Sequence, residues 1–296
     1  MERKKLLILG GTGMIGHGLF YELSKCSDLD VYATARSGKH LEEWFPPDLR
    51  KKIRINVDAD NFDTVIRALA SIQPDIVINC IGLIKQLPLA NDPLSAITSN
   101  SLLPHRVSLV CRTAGARMIQ VSTDCVFNGS KGNYTEADPS DATDLYGRSK
   151  FLGEVEYPHC ITLRTSIIGH ELKGKLGLIE WFLAQEGTIN GFTRAIYSGI
   201  PTVEFARVIK EYVLPNPQLS GLYHVSAEPI SKYDLLKLVA KRYSKEIEIQ
   251  PFDDVFNDRS LDSSRFREAT GYNPPSWAEL VDMMYRNYET MQVYYK

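Results

Sequence analysis

Lys5-Leu6-Leu7-Ile8-Leu9-Gly10-Gly11-Thr12-Gly13-Met14-Ile15-Gly16 decides how the rest of the chain is read. The apolar run Leu6–Leu9 reads as a short strand buried on both faces, and the glycines after it mark a tight turn into a helix. Glycine there permits a sharp turn, close backbone approach to a pyrophosphate, and close packing of helix on strand. The helix N-terminus adds free N–H groups and a partial positive charge. The string satisfies both Gly-x-Gly-x-x-Gly and the wider Gly-x-x-Gly-x-x-Gly spacing. An ordinary strand-to-helix turn has the same look, so the weight of the string comes from its surroundings.

Outward from it, short apolar runs alternate with helical stretches. The expected strands are Lys5–Leu9, Asp30–Thr34, Arg54–Val57, Ile76–Ile81, Met118–Ser122 and Ile161–Arg164; the expected helices are Met14–Cys26, Phe62–Ile72, Ala96–Thr113 and Tyr146–Glu156. This alternation predicts an α/β fold, a Rossmann-type doubly wound parallel sheet over residues 1–168. After Gly169 prolines punctuate the chain, and helices are expected at Val203–Val213, Lys232–Tyr243 and Ser276–Tyr288. Residues 169–296 therefore read mainly as a smaller mixed C-terminal substrate lobe on the carboxyl ends of the strands, with short segments free to rejoin the first domain.

Composition narrows the class. The 296 residues carry a formal charge of -2, which gives no electrostatic footprint for nucleic acid or an anionic membrane. No stretch approaches the length of a bilayer span, and the apolar run near the start is too short for a signal peptide. The five cysteines and six histidines show no metal-ligand or disulfide spacing, so no metal is expected and a reduced, cytoplasmic protein is. Two matches to the glycosylation pattern, at Asn128 and Asn133, are read as chance.

After the second strand, where an acidic residue would bind both hydroxyls of an adenosine ribose, the chain reads Thr34-Ala35-Arg36-Ser37-Gly38-Lys39. Arg36 can pair with a 2′-phosphate, with Ser37 beside it, which favours NADPH while leaving NADH open; a solvated basic turn is the bland alternative. Asp58 is placed to meet the adenine.

Tyr146-Gly147-Arg148-Ser149-Lys150 puts a phenol and an amine one helical turn apart, downstream of Ser122-Thr123-Asp124 at the end of the fifth strand. A carbonyl that accepts hydride must be protonated, and a phenol can do this. A lysine ammonium about 5 Å away would contribute roughly 3 kcal/mol at an effective dielectric of about 20, or about two pKa units, drawing the phenol down towards working pH. Thr123 can donate to the same oxygen. Asn100 is read as an anchor for its helix or for a relay water.

The block Val121-Ser122-Thr123-Asp124-Cys125-Val126-Phe127-Asn128-Gly129, continuing to Tyr146-Gly147-Arg148-Ser149-Lys150, resembles the extended short-chain dehydrogenase/reductase family, and within it the dTDP-4-dehydrorhamnose reductases. Leu163-Arg164-Thr165-Ser166, Gly199-Ile200-Pro201-Thr202, Gly221-Leu222-Tyr223-His224 and Ser260-Leu261-Asp262 extend the likeness over nearly the whole chain. The resemblance implies a catalytic Thr123, Tyr146 and Lys150, and reduction of the 4-keto group of a nucleotide-linked 6-deoxy-sugar for polysaccharide or deoxysugar synthesis. Cofactor contacts are expected from Gly10, Thr12, Gly13, Met14, Ile15, Gly16, Arg36, Ser37, Asp58, Cys80, Ile81, Gly82, Asn100, Tyr146, Lys150 and Thr165. Substrate contacts are expected from Asp124, Cys125, Val126 and Phe127, and a homodimer is compatible with the likeness. Cys125 stands where the family has tyrosine, and is read as packing rather than thiol chemistry. Two other readings stand: a nucleotide-sugar epimerase or dehydratase, although the glutamate a dehydratase needs beside Asp124 is absent, and a non-catalytic dinucleotide-binding regulatory subunit.

Overall fold

A computed structural model describes residues 3–87 and 91–292. Six strands of one parallel sheet come from the first 168 residues: β1 (Lys4–Leu9), β2 (Leu29–Thr34), β3 (Ile53–Arg54), β4 (Ile76–Asn79), β5 (Arg117–Thr123) and β6 (Cys160–Thr165). A seventh, Gly221–His224, returns from the second half to pair in parallel with β6. The order across the sheet is β3, β2, β1, β4, β5, β6 and then Gly221–His224. Chain order therefore reverses between β1 and β4, and that switch point is where a doubly wound sheet opens a crevice for ligand.

Successive residues of β1 feed opposite layers. Leu6 and Ile8 pack in the larger core with Leu19 and Phe20 of the helix Met14–Leu23 and Phe205 of the helix Thr202–Val208. Leu7 and Leu9 pack in a second core with Val65 and Leu69 of the helix Phe62–Ile72 and with Leu103 and Val107. Both faces are covered, which explains an apolar run without alternation. The larger core continues without a break into the second half, through Leu235, Phe266 and Leu280.

Two departures from the sequence reading have local causes. β3 stops at Arg54 because Asn56 turns into the left-handed region at φ +61°, although Val57 still donates to the Ala35 carbonyl. The expected helix Ala96–Thr113 is not uniform: Ile97–Leu102 forms a π-helical turn before the helix Leu103–Ala114. In the second half, the parallel strands Thr188–Phe192 and Glu248–Phe252 pair with each other. A three-stranded sheet joins Ile230–Ser231, Ala195–Tyr197 and Asn257–Asp258 beside the helix Lys232–Arg242. Among the described residues no helix is long and apolar enough to cross a membrane.

Candidate active site

The glycine loop at the end of β1 is shaped by what it lacks. Gly10 has φ +85°. A Cβ on Gly16 would lie 2.1 Å from the Gly10 carbonyl oxygen, and one on Gly11 would lie 2.6 Å from Cβ of Ala33. The loop is tied to β2 by Gly10 N–H to Thr34 Oγ1 (3.0 Å) and Gly11 N–H to the Thr34 carbonyl (2.8 Å). The helix then starts at Met14, leaving the amides of Met14, Ile15 and Gly16 without partners in their own helix. Side chains at Gly11 and Gly16 would collide with β2 and with the loop's own backbone, so glycine allows the tight turn that presents these amides, and the turn fits a dinucleotide pyrophosphate. Beneath it His17 is buried, with Nδ1 2.9 Å from the Gly13 carbonyl; burial lowers its pKa to about 4, so it is neutral at working pH.

At the neighbouring edge of the crevice, Arg36 and Ser37 are exposed just past β2. Asp58 is half-buried, its amide capped by Thr64 Oγ1 at 2.8 Å. Thr12 is half-buried within the loop, and Cys80 and Ile81 are half-buried beyond β4. Burial pushes the Cys80 thiol up to about 12.

The second half of the site gathers at the carboxyl end of β5. Thr123, at its tip and level with Thr165 of β6, accepts the Cys125 amide on Oγ1 and donates to Asp124 Oδ1, both at 3.1 Å. The helix Leu145–Leu152 is capped by Asp144, whose carboxylate accepts the Gly147 amide at 2.8 Å and pairs with Lys85 at 2.9 Å. Gly147 lets this helix press against the loop after β5: a Cβ there would lie 2.2 Å from the Cys125 carbonyl. The Tyr146 phenol is thereby set beside the turn that carries Thr123, Asp124 and Cys125. Lys150, on the same helix, is buried and donates from Nζ to the Val121 carbonyl at 2.9 Å. Asn100 in the π-helical turn accepts the Leu83 amide (2.8 Å) and donates to the Leu83 carbonyl (3.3 Å) and to Ser149 Oγ (3.1 Å). Its side chain thus binds the loop after β4 to the helix that carries Tyr146 and Lys150. Gly82 leaves room beside that junction, where a Cβ would lie 3.7 Å from Lys150 Nζ.

The electrostatics correct one expectation. Burial raises the Tyr146 phenol above its ordinary value, with Cys125, Asp124 and Asp144 adding to the effect and the Thr123 hydroxyl opposing them. Lys150 does not pull the phenol down, because its ammonium is turned to Val121 and is itself lowered to about 8 by burial. Tyr146 is therefore a fully protonated acid at neutral pH. Burial likewise raises Asp124, with Arg259 opposing.

A second correction concerns Val126 and Phe127. Neither side chain has exposed surface; they pack with Tyr134 and Leu261, Phe127 stacking on Tyr134 at 4.1 Å between ring centroids. The apolar side chains of this turn anchor it, leaving half-buried Asp124 and Cys125 as the groups beside Tyr146. The Cys125 thiol is pushed up to about 12 by burial and is uncharged.

The glycine loop, the half-buried Tyr146 phenol with buried Thr123, and the buried amine of Lys150 thus occupy one rim of one sheet. Over residues 4–290 the sequence matches the family described as RmlD substrate binding domain. The chain belongs to that family. The resemblance read from the block around Thr123 and Tyr146 is borne out along almost the entire length. The spore coat polysaccharide biosynthesis protein SpsK of Bacillus subtilis is 28% identical to this RmlD-family chain, over 93% of it and 94% of SpsK. Methionine adenosyltransferase 2 subunit beta of Danio rerio is 26% identical over 81% of this chain and 74% of its own. Among solved structures, the dTDP-4-dehydrorhamnose reductase of Bacillus anthracis in complex with NADP superimposes with a TM-score of 0.77, at 20% identity, over 96% of this chain and 99% of that one. That likeness shows the shared fold.

Sequence reasoning missed the residues the second half sends to this rim. Arg259, following the strand Asn257–Asp258, donates from Nε to the Phe127 carbonyl at 2.8 Å and approaches Cys125 Sγ at 3.7 Å through Nη1. Lys232, opening the helix Lys232–Arg242, adds a positive charge that acts on Asp124. The only available signal was position, Arg259 directly preceding the Ser260-Leu261-Asp262 match. Among the described residues no group of acidic, histidine or cysteine side chains is arranged to hold a metal.

Proposed function

We infer that the protein is an NAD(P)H-dependent reductase of the 4-keto group of a nucleotide-linked 6-deoxy-sugar, serving polysaccharide or deoxysugar synthesis. The observation that carries this reading is the helix Leu145–Leu152, which brings Tyr146 and buried Lys150 to Thr123 at the end of β5, on the rim that also bears the Gly10–Gly16 cradle. The amides opening the first helix hold the dinucleotide phosphates, and Arg36 favours the 2′-phosphorylated form. When bound, the reduced nicotinamide supplies hydride to the carbonyl carbon. Tyr146 transfers its proton to the carbonyl oxygen as negative charge develops there, and Thr123 stabilises the same oxygen by donating its hydroxyl hydrogen. That second role requires the Thr123 hydroxyl to turn from Asp124 to the substrate. Lys150 provides a positive charge beneath the reacting groups and two further N–H donors beyond the one given to Val121. Its fall to about 8 places the alkaline limit of the reaction there: the ammonium is present below that pH and lost above it.

The test is a screen of nucleotide-linked 4-keto-sugars that follows NADPH absorbance and identifies the product sugar. Stoichiometric NADPH oxidation with formation of the 4-hydroxy sugar is expected. Sugar conversion with no net cofactor consumption would replace this reading by an epimerase. The likeness to methionine adenosyltransferase 2 subunit beta supports a second, non-catalytic reading. Absence of NADPH oxidation with every keto-sugar, together with a stable protein partner, would favour it.

A further inference from the structure

Several arginines drawn into this fold are neutralised where they stand: Arg164 by Glu154, Arg207 by Glu204 and Arg242 by Asp282, each at 2.7 Å. Arg259 is half-buried at the rim of β5 and is treated differently. Among the described residues its hydrogen-bond partners are the Phe127 carbonyl, 2.8 Å from Nε, and Cys125 Sγ, 3.7 Å from Nη1, and no carboxylate pairs with it. The thiol is uncharged and a weak acceptor, so the charge of the guanidinium stands. The N–H donors of Nη2 have no protein partner. The carboxylates in its field are already engaged: Asp124 accepts from Thr123 at 3.1 Å, and Asp144 holds the Gly147 amide and Lys85.

The head group is fixed from both sides. Its stem lies against Gly129, where a Cβ would come within 3.0 Å of Arg259 Cγ. Before it, Asp258 donates its amide to the Gly129 carbonyl at 2.8 Å. After it, the Ser260 carbonyl accepts the Tyr134 amide at 2.8 Å and Ser260 Oγ accepts the Asn133 amide at 2.7 Å. The segment around Arg259 is thus zipped to the loop that follows β5, and the side chain reaches back along that loop to Cys125. Gly147, next to Tyr146, packs on the carbonyl of the same Cys125. A fixed cation from the second half therefore stands at the turn beside Tyr146. The small thiol of Cys125 leaves Nη1 the room that a tyrosine at this position would take. A guanidinium held by neutral groups, with donors unspent, is built to receive an oxyanion.

We propose that Arg259, pinned by the Phe127 carbonyl and Cys125, binds an oxyanion of the substrate beside Tyr146 and so helps to select which sugar nucleotides enter. The oxyanion belongs to the diphosphate of the nucleotide or to a carboxylate on the sugar, and the chemistry at the guanidinium is the same. That the anion is part of a sugar nucleotide rests on the reductase reading above, whereas the anion site itself does not. Protein preloaded with NADP+ is titrated calorimetrically with UDP, dTDP, GDP and CDP, with the corresponding nucleosides, and with UDP-glucose and UDP-glucuronate. Wild type is compared with Arg259→Gln, or with Arg259→Met, which keeps the stem over Gly129, if the first variant fails to fold. The best-bound nucleoside diphosphate should bind the variant about ten- to hundred-fold more weakly, with a loss that shrinks at high salt, while NADP+ and nucleoside affinities stay as they were. A loss confined to UDP-glucuronate would uphold the anion site, assign the anion to the sugar, and replace the 6-deoxy-sugar of the reductase reading by an acidic one. An Arg259 that only tethers Phe127 would lower the melting temperature and leave every anion affinity in place. That result in whichever variant folds, or a wild type that binds none of these anions, overturns the proposal. If the anion loss is seen and no keto-sugar is reduced, the reductase reading fails and the anion site stands.

Discussion

The two halves of the candidate site are built on opposite principles. The Gly10–Gly16 loop works through side chains it does not have: a Cβ on Gly16 would occupy the space of the Gly10 carbonyl. The rim of β5 works through buried polar side chains held by distant segments, Lys150 by Val121, and Asn100 by Leu83 and Ser149. One half is a continuous stretch of backbone with local constraints. The other is assembled from pieces that only the sheet brings together. Damage should therefore separate cleanly, to cofactor binding in the first case and to chemistry in the second.

The sharpest separation is expected from Tyr146→Phe. Removing the hydroxyl takes away the proton donor and leaves the glycine cradle untouched, so kcat should fall by about 10²–10⁴-fold while NADPH affinity stays close to wild type. Steady-state kinetics with a fluorescence binding titration would show it. Comparable losses in both would mean that the two halves are not independent. The halves should also differ in their response to pH. At the β5 rim the relevant titration is alkaline, through Lys150 at about 8. Under the glycine loop it is acidic, through His17, whose pKa drops from 6.5 to about 4. The unfolded chain then takes up this proton before the folded one does. Stability from His17 is complete above pH 6.5, falls as pH drops towards 4, and is level below that. At roughly 1.4 kcal/mol per unit this comes to about 3 kcal/mol. Urea denaturation of wild type and His17→Gln between pH 7 and 4 should show the difference in slope. Parallel curves would show that His17 is not buried neutral beneath the loop.

The same contrast governs what the sequence revealed. The glycine loop was legible because its constraint is local: β1 was expected at Lys5–Leu9 and runs Lys4–Leu9, and the first helix begins at Met14 as expected. Thr123, Tyr146 and Lys150 were legible as residue types at a spacing, but their contacts were not. The turn of Lys150 towards Val121 depends on β5 passing under its helix, and the raised phenol depends on how deeply both are buried. The π-helical turn that aims Asn100 was invisible, since hydrophobic periodicity does not register one extra residue in a helix. Gly221–His224 was noted as a motif and not as a strand, because its partner β6 lies far away in sequence. Val126 and Phe127 were misplaced for a related reason. Adjacent to Asp124 in sequence, they turn into the core with Tyr134 and Leu261, which no local pattern announces.

Within the loop itself, two glycines test whether backbone crowding is the controlling feature. Gly16→Ala places a methyl group against the Gly10 carbonyl, whereas a Cβ on Gly13 would lie an ordinary 3.6 Å from the same oxygen. Overpacking of this kind costs about 1–3 kcal/mol, so NADPH should bind about ten- to hundred-fold more weakly to Gly16→Ala. Gly13→Ala should bind it nearly as the wild type does. Equal losses at the two positions would show that a methyl at Gly13, which has room within the protein, meets the pyrophosphate itself.

The smallest effect is expected at the outer edge of the cradle, where Arg36 is exposed and in competition with water. A charged hydrogen bond to a 2′-phosphate is screened there by solvent and salt. Its loss in Arg36→Ala should weaken NADPH binding by about ten-fold and leave NADH binding as it was, since NADH has no 2′-phosphate to recognise. Isothermal titration with both cofactors at two salt concentrations separates this from general damage to the loop. A selective NADPH loss that shrinks at high salt would identify Arg36 as the selectivity element. Loss of both cofactors together would assign Arg36 to stacking on the adenine, and preference for the phosphate would have to come from another cation on this edge.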